Sequence, residues 1–210
     1  MEKFIIQLSS CSNRIIDQIA NNTLSDEDAS YLFSYKYFLK FWEDKPKKLS
    51  LKDLVIGVHF VYGWMPTIFH FKSLETTKLE EALTIINKYK DSESIETEEP
   101  EDLEKLKELL NNSIIGTSKL LHFINPDKYA IWDSRVHAFI RKNYEDSGIG
   151  YEPNNTKNYL KYIQLLNEIK SYPNFKTDFY KPLKDAIKEK YNYKISQLRA
   201  IEMILFLSSK

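Results

Sequence analysis

Apolar residues recur at three- and four-residue intervals along nearly the whole of this chain, a period that builds helices and leaves little room for strands. Ile15, Ile16 and Ile19 mark a first helix at about 10–20. Ser25-Asp26-Glu27-Asp28 is a capping signal for a second at about 26–43, rich in Tyr31, Phe33, Tyr35, Phe38 and Trp42. Ser50 caps a third at about 51–62, and Leu79, Leu83 and Ile86 set a fourth at about 78–90. Pro100 suits the first turn of a helix at about 101–111. Shorter helices are expected at 116–124 and 133–144, on either side of Asn125-Pro126. Others are expected at 156–171, 177–190 and 195–208, after a surface loop at 146–155 that reads as a mobile insert. With five glycines and seven prolines there are too few turn signals for a sandwich. The predicted fold class is all-α.

The length suits one helical domain over 1–210; two lobes at about 1–90 and 101–210, joined by an acidic loop at 91–100, are the other arrangement. Cys11 is the sole cysteine, which excludes an internal disulfide, a cysteine-based zinc site and a four-cysteine iron–sulfur cluster. The four histidines show no metal-ligand spacing, so no metal and no cofactor is expected. Phe4-Ile5-Ile6 is too short for a signal peptide and no apolar run spans a bilayer, so the expected location is the cytoplasm. Oligomeric state is not legible.

The formal net charge of zero conceals a division. Residues 91–104 carry eight acids and no Lys or Arg, leaving 30 basic residues against 22 acidic ones elsewhere. From 134 to 210 there are 14 basic and 8 acidic residues. Clustered positive charge would suit a polyanion; an ordinary lysine-rich surface is the equal alternative.

One segment invites a chemical reading. Ile114-Ile115-Gly116-Thr117-Ser118-Lys119-Leu120-Leu121-His122-Phe123 is followed, after Asn125-Pro126, by Ile131-Trp132-Asp133-Ser134-Arg135-Val136. Gly116 permits close approach of a neighbour, and the amides of a helix start, with the Thr117 and Ser118 hydroxyls, suit a phosphate. Asp133 stands where the next helix begins, and reads equally well as an ordinary N-cap. Lys119 reads either as a reactive amine or as a solvated helix residue. His122 shares its face, and a lone histidine there is more often a hydrogen-bonded core residue than a base.

These residues resemble the core of the helix-hairpin-helix DNA glycosylase superfamily, which includes endonuclease III and the 8-oxoguanine DNA glycosylases. There a hairpin of the form Leu-Pro-Gly-Val-Gly-x-Lys-x-Ala leads into a helix, and a Val-Asp-Thr-His-Val run follows. Ile115-Gly116-Thr117-Ser118-Lys119 is similar to the first and Trp132-Asp133-Ser134-Arg135-Val136 to the second; Ser113 and Ile114 replace the hairpin's Pro and first Gly. The whole run also resembles uncharacterised bacterial proteins described as having an 8-oxoguanine-glycosylase-like fold. The resemblance implies a DNA partner and base excision, with Lys119 as nucleophile and Asp133 as its electrostatic and acid–base partner. It implies an aromatic wall, for which Trp64, Phe69, Phe123 and Trp132 are candidates beside His122. Arg135, Arg141 and Lys142 are the basic residues expected at phosphate. Two alternatives stand: an inactive DNA-binding module of the same fold, or a helical protein whose aromatic helix 26–43 docks a protein partner.

Overall fold

The computed structural model describes residues 1–64, 67–91 and 100–209; the Met65-Pro66 step and the acidic stretch 92–99 lie outside it. The described chain is all-α, and its one trace of β pairing is an isolated bridge between Phe71 and Leu110. In chain order the helices are α1 (Glu2–Ala20), α2 (Asp26–Glu43), α3 (Leu51–Trp64), α4 (Thr76–Asp91) and α5 (Pro100–Leu109). They continue as α6 (Ile114–Ile124), α7 (Ser134–Asn143), α8 (Thr156–Lys170), α9 (Lys181–Tyr191) and α10 (Gln197–Leu207). A 3₁₀ turn at Glu145–Ser147 follows α7, and a π-helical segment, Phe175–Tyr180, leads into α9. Among the described residues no helix is long and apolar enough to cross a membrane.

The helices begin where short polar side chains satisfy their first amides. Ser25 accepts from the Asp28 amide at the start of α2, and Ser50 from the Asp53 amide at the start of α3. Asp53 returns the bond to the Ser50 amide, closing a reciprocal box. The Ser50 hydroxyl and amide, both donating to this carboxylate, and the nearby Lys45 ammonium pull Asp53 down to about 2. Burial does the rest. Phe4, Ile5, Leu8, Ile15 and Ile19 share one face of α1, so the helix runs from Glu2 rather than from about residue 10. Each such aliphatic or aromatic side chain removed from water contributes roughly 1.5–3 kcal/mol.

Two packing groups result. α6 lies among α2, α3, α4 and α5; α10 lies against α1, α7 and α8. The grouping differs from a division at the acidic stretch, because α1 packs on α9 and α10 at the far end of the chain. A single connected cluster of buried side chains, from Phe4 to Leu207, joins the groups.

The 146–155 segment is strapped rather than a free insert. Arg141 donates to the Ile149 carbonyl, His137 bonds the Gly150 carbonyl and Trp132 donates to the Pro153 carbonyl. Asn154 reaches the α5–α6 turn, accepting from the Ile114 amide and donating to the Asn112 carbonyl.

Candidate functional site

α5, a turn through Asn111 and Asn112, α6, an extended link and α7 follow one another, and they carry Lys119 and Asp133 to each other. Both turn asparagines have positive φ, a region in which asparagine is favoured over most residues. The link through Asp133 is extended, so Ile131 and Asp133 point one way and Trp132 the other. Lys119 Nζ donates to Asp133 Oδ2 at 3.1 Å, with the two side chains only 10% and 16% exposed. Asp133 Oδ1 accepts from the Arg135 amide at 2.8 Å, so the same carboxylate caps α7 and holds the lysine.

Above the pair sits a chamber of about 30 Å³, lined by Tyr31, Trp64, Ile131 and Phe206 together with Lys119, Asp133, Arg199 and Glu202. That is room for about one water molecule. Lys119 Nζ lies 5.8 Å from the centre of the Trp64 ring, and Trp64 meets Tyr31 edge-on at 5.1 Å. On the other side of this aromatic pair an open cleft of about 520 Å³ is lined by Glu27, Ser30, Ser34, Phe38, His59, Phe60 and Gly63. Tyr31 and Trp64 line both spaces and partition them.

Two groups of the chamber were not anticipated from the sequence. Arg199 and Glu202, three residues apart on α10, form a fully buried ion pair through Arg199 Nη1 and Glu202 Oε2. Their signal was present: they are opposite charges one turn apart in an otherwise apolar helix. Burial pushes the Glu202 carboxyl up to about 7, partly offset by Arg199. Arg199 also lies 4.4 Å above the Tyr35 ring, and its Nε makes no hydrogen bond among the described residues.

Several expected site residues are placed elsewhere. The start of α6 does not present its amides to a phosphate: Ile114 N–H is taken by Asn154, and Gly116 N–H by the Ser113 hydroxyl. Gly116 does admit a close neighbour, but that neighbour is Tyr62, whose hydroxyl lies 2.2 Å from where a Cβ would stand. Thr117 and Ser118 are buried, with Thr117 bonded to the Ser113 carbonyl and Ser118 to Ile115 and to both backbone polar groups of Trp132. No hydroxyl is left for a phosphate there. Arg135 turns inward to Asp28, Ser209 and the Phe206 ring, so its guanidinium holds α7, α2 and the chain end together. Arg141 straps Ile149 and stacks on Tyr151; Lys142 is exposed.

Of the expected pocket residues, Trp64 alone lines the chamber. Trp132 is buried against Tyr162 and His137, because the extended link turns it away from Asp133. Phe69 packs on Tyr62, while Phe123 is a core ring set edge-on behind Trp64. His122 is fully buried: Nδ1 is 2.7 Å from the Tyr129 carbonyl and Nε2 2.6 Å from the Tyr35 hydroxyl. A carbonyl only accepts, so Nδ1 carries the hydrogen and Nε2 accepts from Tyr35. Burial, with help from Arg199, lowers this imidazole to about 3 and keeps it neutral.

Compared with known protein families, with curated proteins and with solved structures, the chain matches none.

Proposed function

We propose that this protein binds nucleic acid with a divergent helix-hairpin-helix glycosylase-like fold and removes a base through Lys119. The observation that carries the reading is the sheltered Lys119–Asp133 pair at 3.1 Å, closed over by an aromatic wall. The order helix, tight turn, lysine-bearing helix, extended link and aspartate-capped helix supports it. In the proposed step the neutral amine forms a bond to sugar C1′ as the glycosidic C–N bond breaks, and the base leaves with that electron pair. Ring opening then yields an imine, from which β-elimination cleaves the strand. Asp133 steadies the positive charge that develops on the sugar. A nucleotide reaches Lys119 only if Tyr31 and Trp64 swing toward the open cleft, since the chamber itself holds no more than a water.

The test is borohydride trapping on oligonucleotides carrying 8-oxoguanine, uracil or an abasic site. The expected result is a covalent adduct that disappears in Lys119→Ala. A panel with neither adduct nor base release would sink the enzymatic reading. A second reading, a binding module of the same fold without catalysis, is favoured by one observation: both Asp133 oxygens are engaged, one by the ammonium it stabilises. That module would retain salt-dependent binding to the same oligonucleotides with no covalent product.

A further inference from the structure

A lysine cannot attack while it remains an ammonium, and Asp133 already pairs with that group at 3.1 Å. Freeing the amine requires a second acceptor within the same space. Glu202 is the other carboxyl lining the chamber, 1% exposed and pinned from behind by Arg199 on its own helix. We propose that Glu202 is the proton acceptor for Lys119, receiving across a water-sized gap the proton that the amine must lose before it reacts. One N–H bond breaks and one O–H bond forms, and a buried Lys⁺/Glu⁻ couple becomes a neutral amine and a neutral acid. This assignment rests on the reading of Lys119 as the reacting amine.

The surroundings suit the role. The charged groups acting on Glu202 are Arg199 from α10, Asp133 from the cap of α7 and Lys119 from α6. Tyr35 of α2, Tyr162 of α8 and Tyr193 before α10 also sense it, and burial raises all three phenols, so they stay neutral. His137 of α7 is turned to Gly150 instead. The buried faces of α1 and the π-helical segment present Phe4, Leu8, Ser12, Phe175 and Phe179, none of which titrates. Two carboxyls thus face one amine, with Asp133 spent on holding the charge and Glu202 poised near neutrality to take the proton.

Reductive methylation with formaldehyde and cyanoborohydride reads the free amine directly and needs no nucleic acid. Lys119 modification is measured by mass spectrometry from pH 5.5 to 9.5, as a ratio to the exposed Lys142 in the same sample. In the unmodified sequence the ratio is expected to stay level up to about pH 7 and then fall along a limb, because above it Lys119 sheds its proton only to Glu202, independently of pH, while exposed amines go on gaining. In Glu202→Gln, with no carboxylate there to hold the ammonium, that limb should vanish and the ratio at pH 8 rise by about tenfold. A wild-type ratio without an inflection between pH 6 and 8, an unchanged profile in Glu202→Gln, or no labelling of Lys119 at any pH would each overturn the assignment. Should the variant not fold, the wild-type profile decides alone. Trapping on abasic oligonucleotide, run in parallel, judges the glycosylase reading separately: its failure beside an intact pH limb removes the DNA chemistry and leaves the proton link.

Discussion

Two buried polar groups lie back to back in this core and are built on opposite principles. Tyr35, His122 and Tyr129 form a neutral chain in which both ring nitrogens of the histidine are bonded at 2.6 and 2.7 Å. Lys119, Asp133, Arg199 and Glu202 form an ionic set around a small chamber, with one guanidinium nitrogen unbonded among the described residues. The face of Tyr35, beneath Arg199, joins them. A neutral chain that uses its hydrogen-bonding capacity costs little to bury and orders its surroundings. Buried charges cost several kcal/mol each and are kept where something else needs them. The first group therefore reads as framework and the second as the place to look for chemistry.

The comparison can be broken most directly at Glu202. Glu202→Ala strands Arg199 as an unpaired buried cation and should lower unfolding free energy by about 3–5 kcal/mol, measured in urea. Arg199→Met combined with Glu202→Leu should recover most of that loss. If the single variant costs no more than a surface change, the pair is not the ionic core described. His122→Ala should cost about 2–4 kcal/mol by leaving the Tyr35 hydroxyl and Tyr129 carbonyl without their partner, yet leave the pH limb of Lys119 labelling in place. Loss of that limb would show that the two groups work as one.

Acidity separates the groups further, with opposite signs. His122 is held near 3, below its ordinary value of 6.5. Its neutral burial therefore supports folding above pH 6.5, and that support drains away as pH falls toward 3. Glu202 is held near 7 against an ordinary 4.5, so its contribution is complete below 4.5 and is lost as pH rises through 7. Urea midpoints at pH 4, 5.5 and 8 should show the alkaline decline flattened in Glu202→Gln and the acid decline flattened in His122→Gln. Identical profiles in all three proteins would contradict both assignments.

The smallest effect is expected at Asp133. Serine keeps the cap but leaves the sheltered Lys119 ammonium without its carboxylate, so Asp133→Ser should cost about 1–3 kcal/mol while abolishing any trapped adduct. A variant that keeps full trapping would confine Asp133 to capping.

How far the sequence disclosed this site depends on which force placed each residue. Capping and periodicity are local, and they set α2 at 26–43 from Ser25 and its aromatic spacing, as observed. The start of α6 was misplaced by two residues because Gly116 looked like a helix opening, whereas Ser113 is the cap. The pairing of Lys119 with Asp133 was legible only through the likeness of the run to the glycosylase hairpin, since the residues alone read equally as a solvated lysine and an N-cap. Tyr31, Arg199, Glu202 and Phe206 were not, since α2 and α10 reach the lysine only through tertiary packing. Arg135 misled for a related reason: an arginine beside an aspartate cap looks solvent-facing until Asp28, more than a hundred residues earlier, folds beneath it.

Gly116 then acquires a meaning apart from backbone freedom. Its missing methyl group sets the clearance between α3 and α6, because Tyr62 fills that spot and anchors to the Leu110 carbonyl at 2.7 Å. Trp64 stands two residues beyond Tyr62, and Lys119 three beyond Gly116, so the spacing of these helices also sets the headroom between indole and amine. Calibre is governed from outside the chamber. An alanine at 116 would prise the helices apart and loosen the ceiling over Lys119 without altering any residue that lines it.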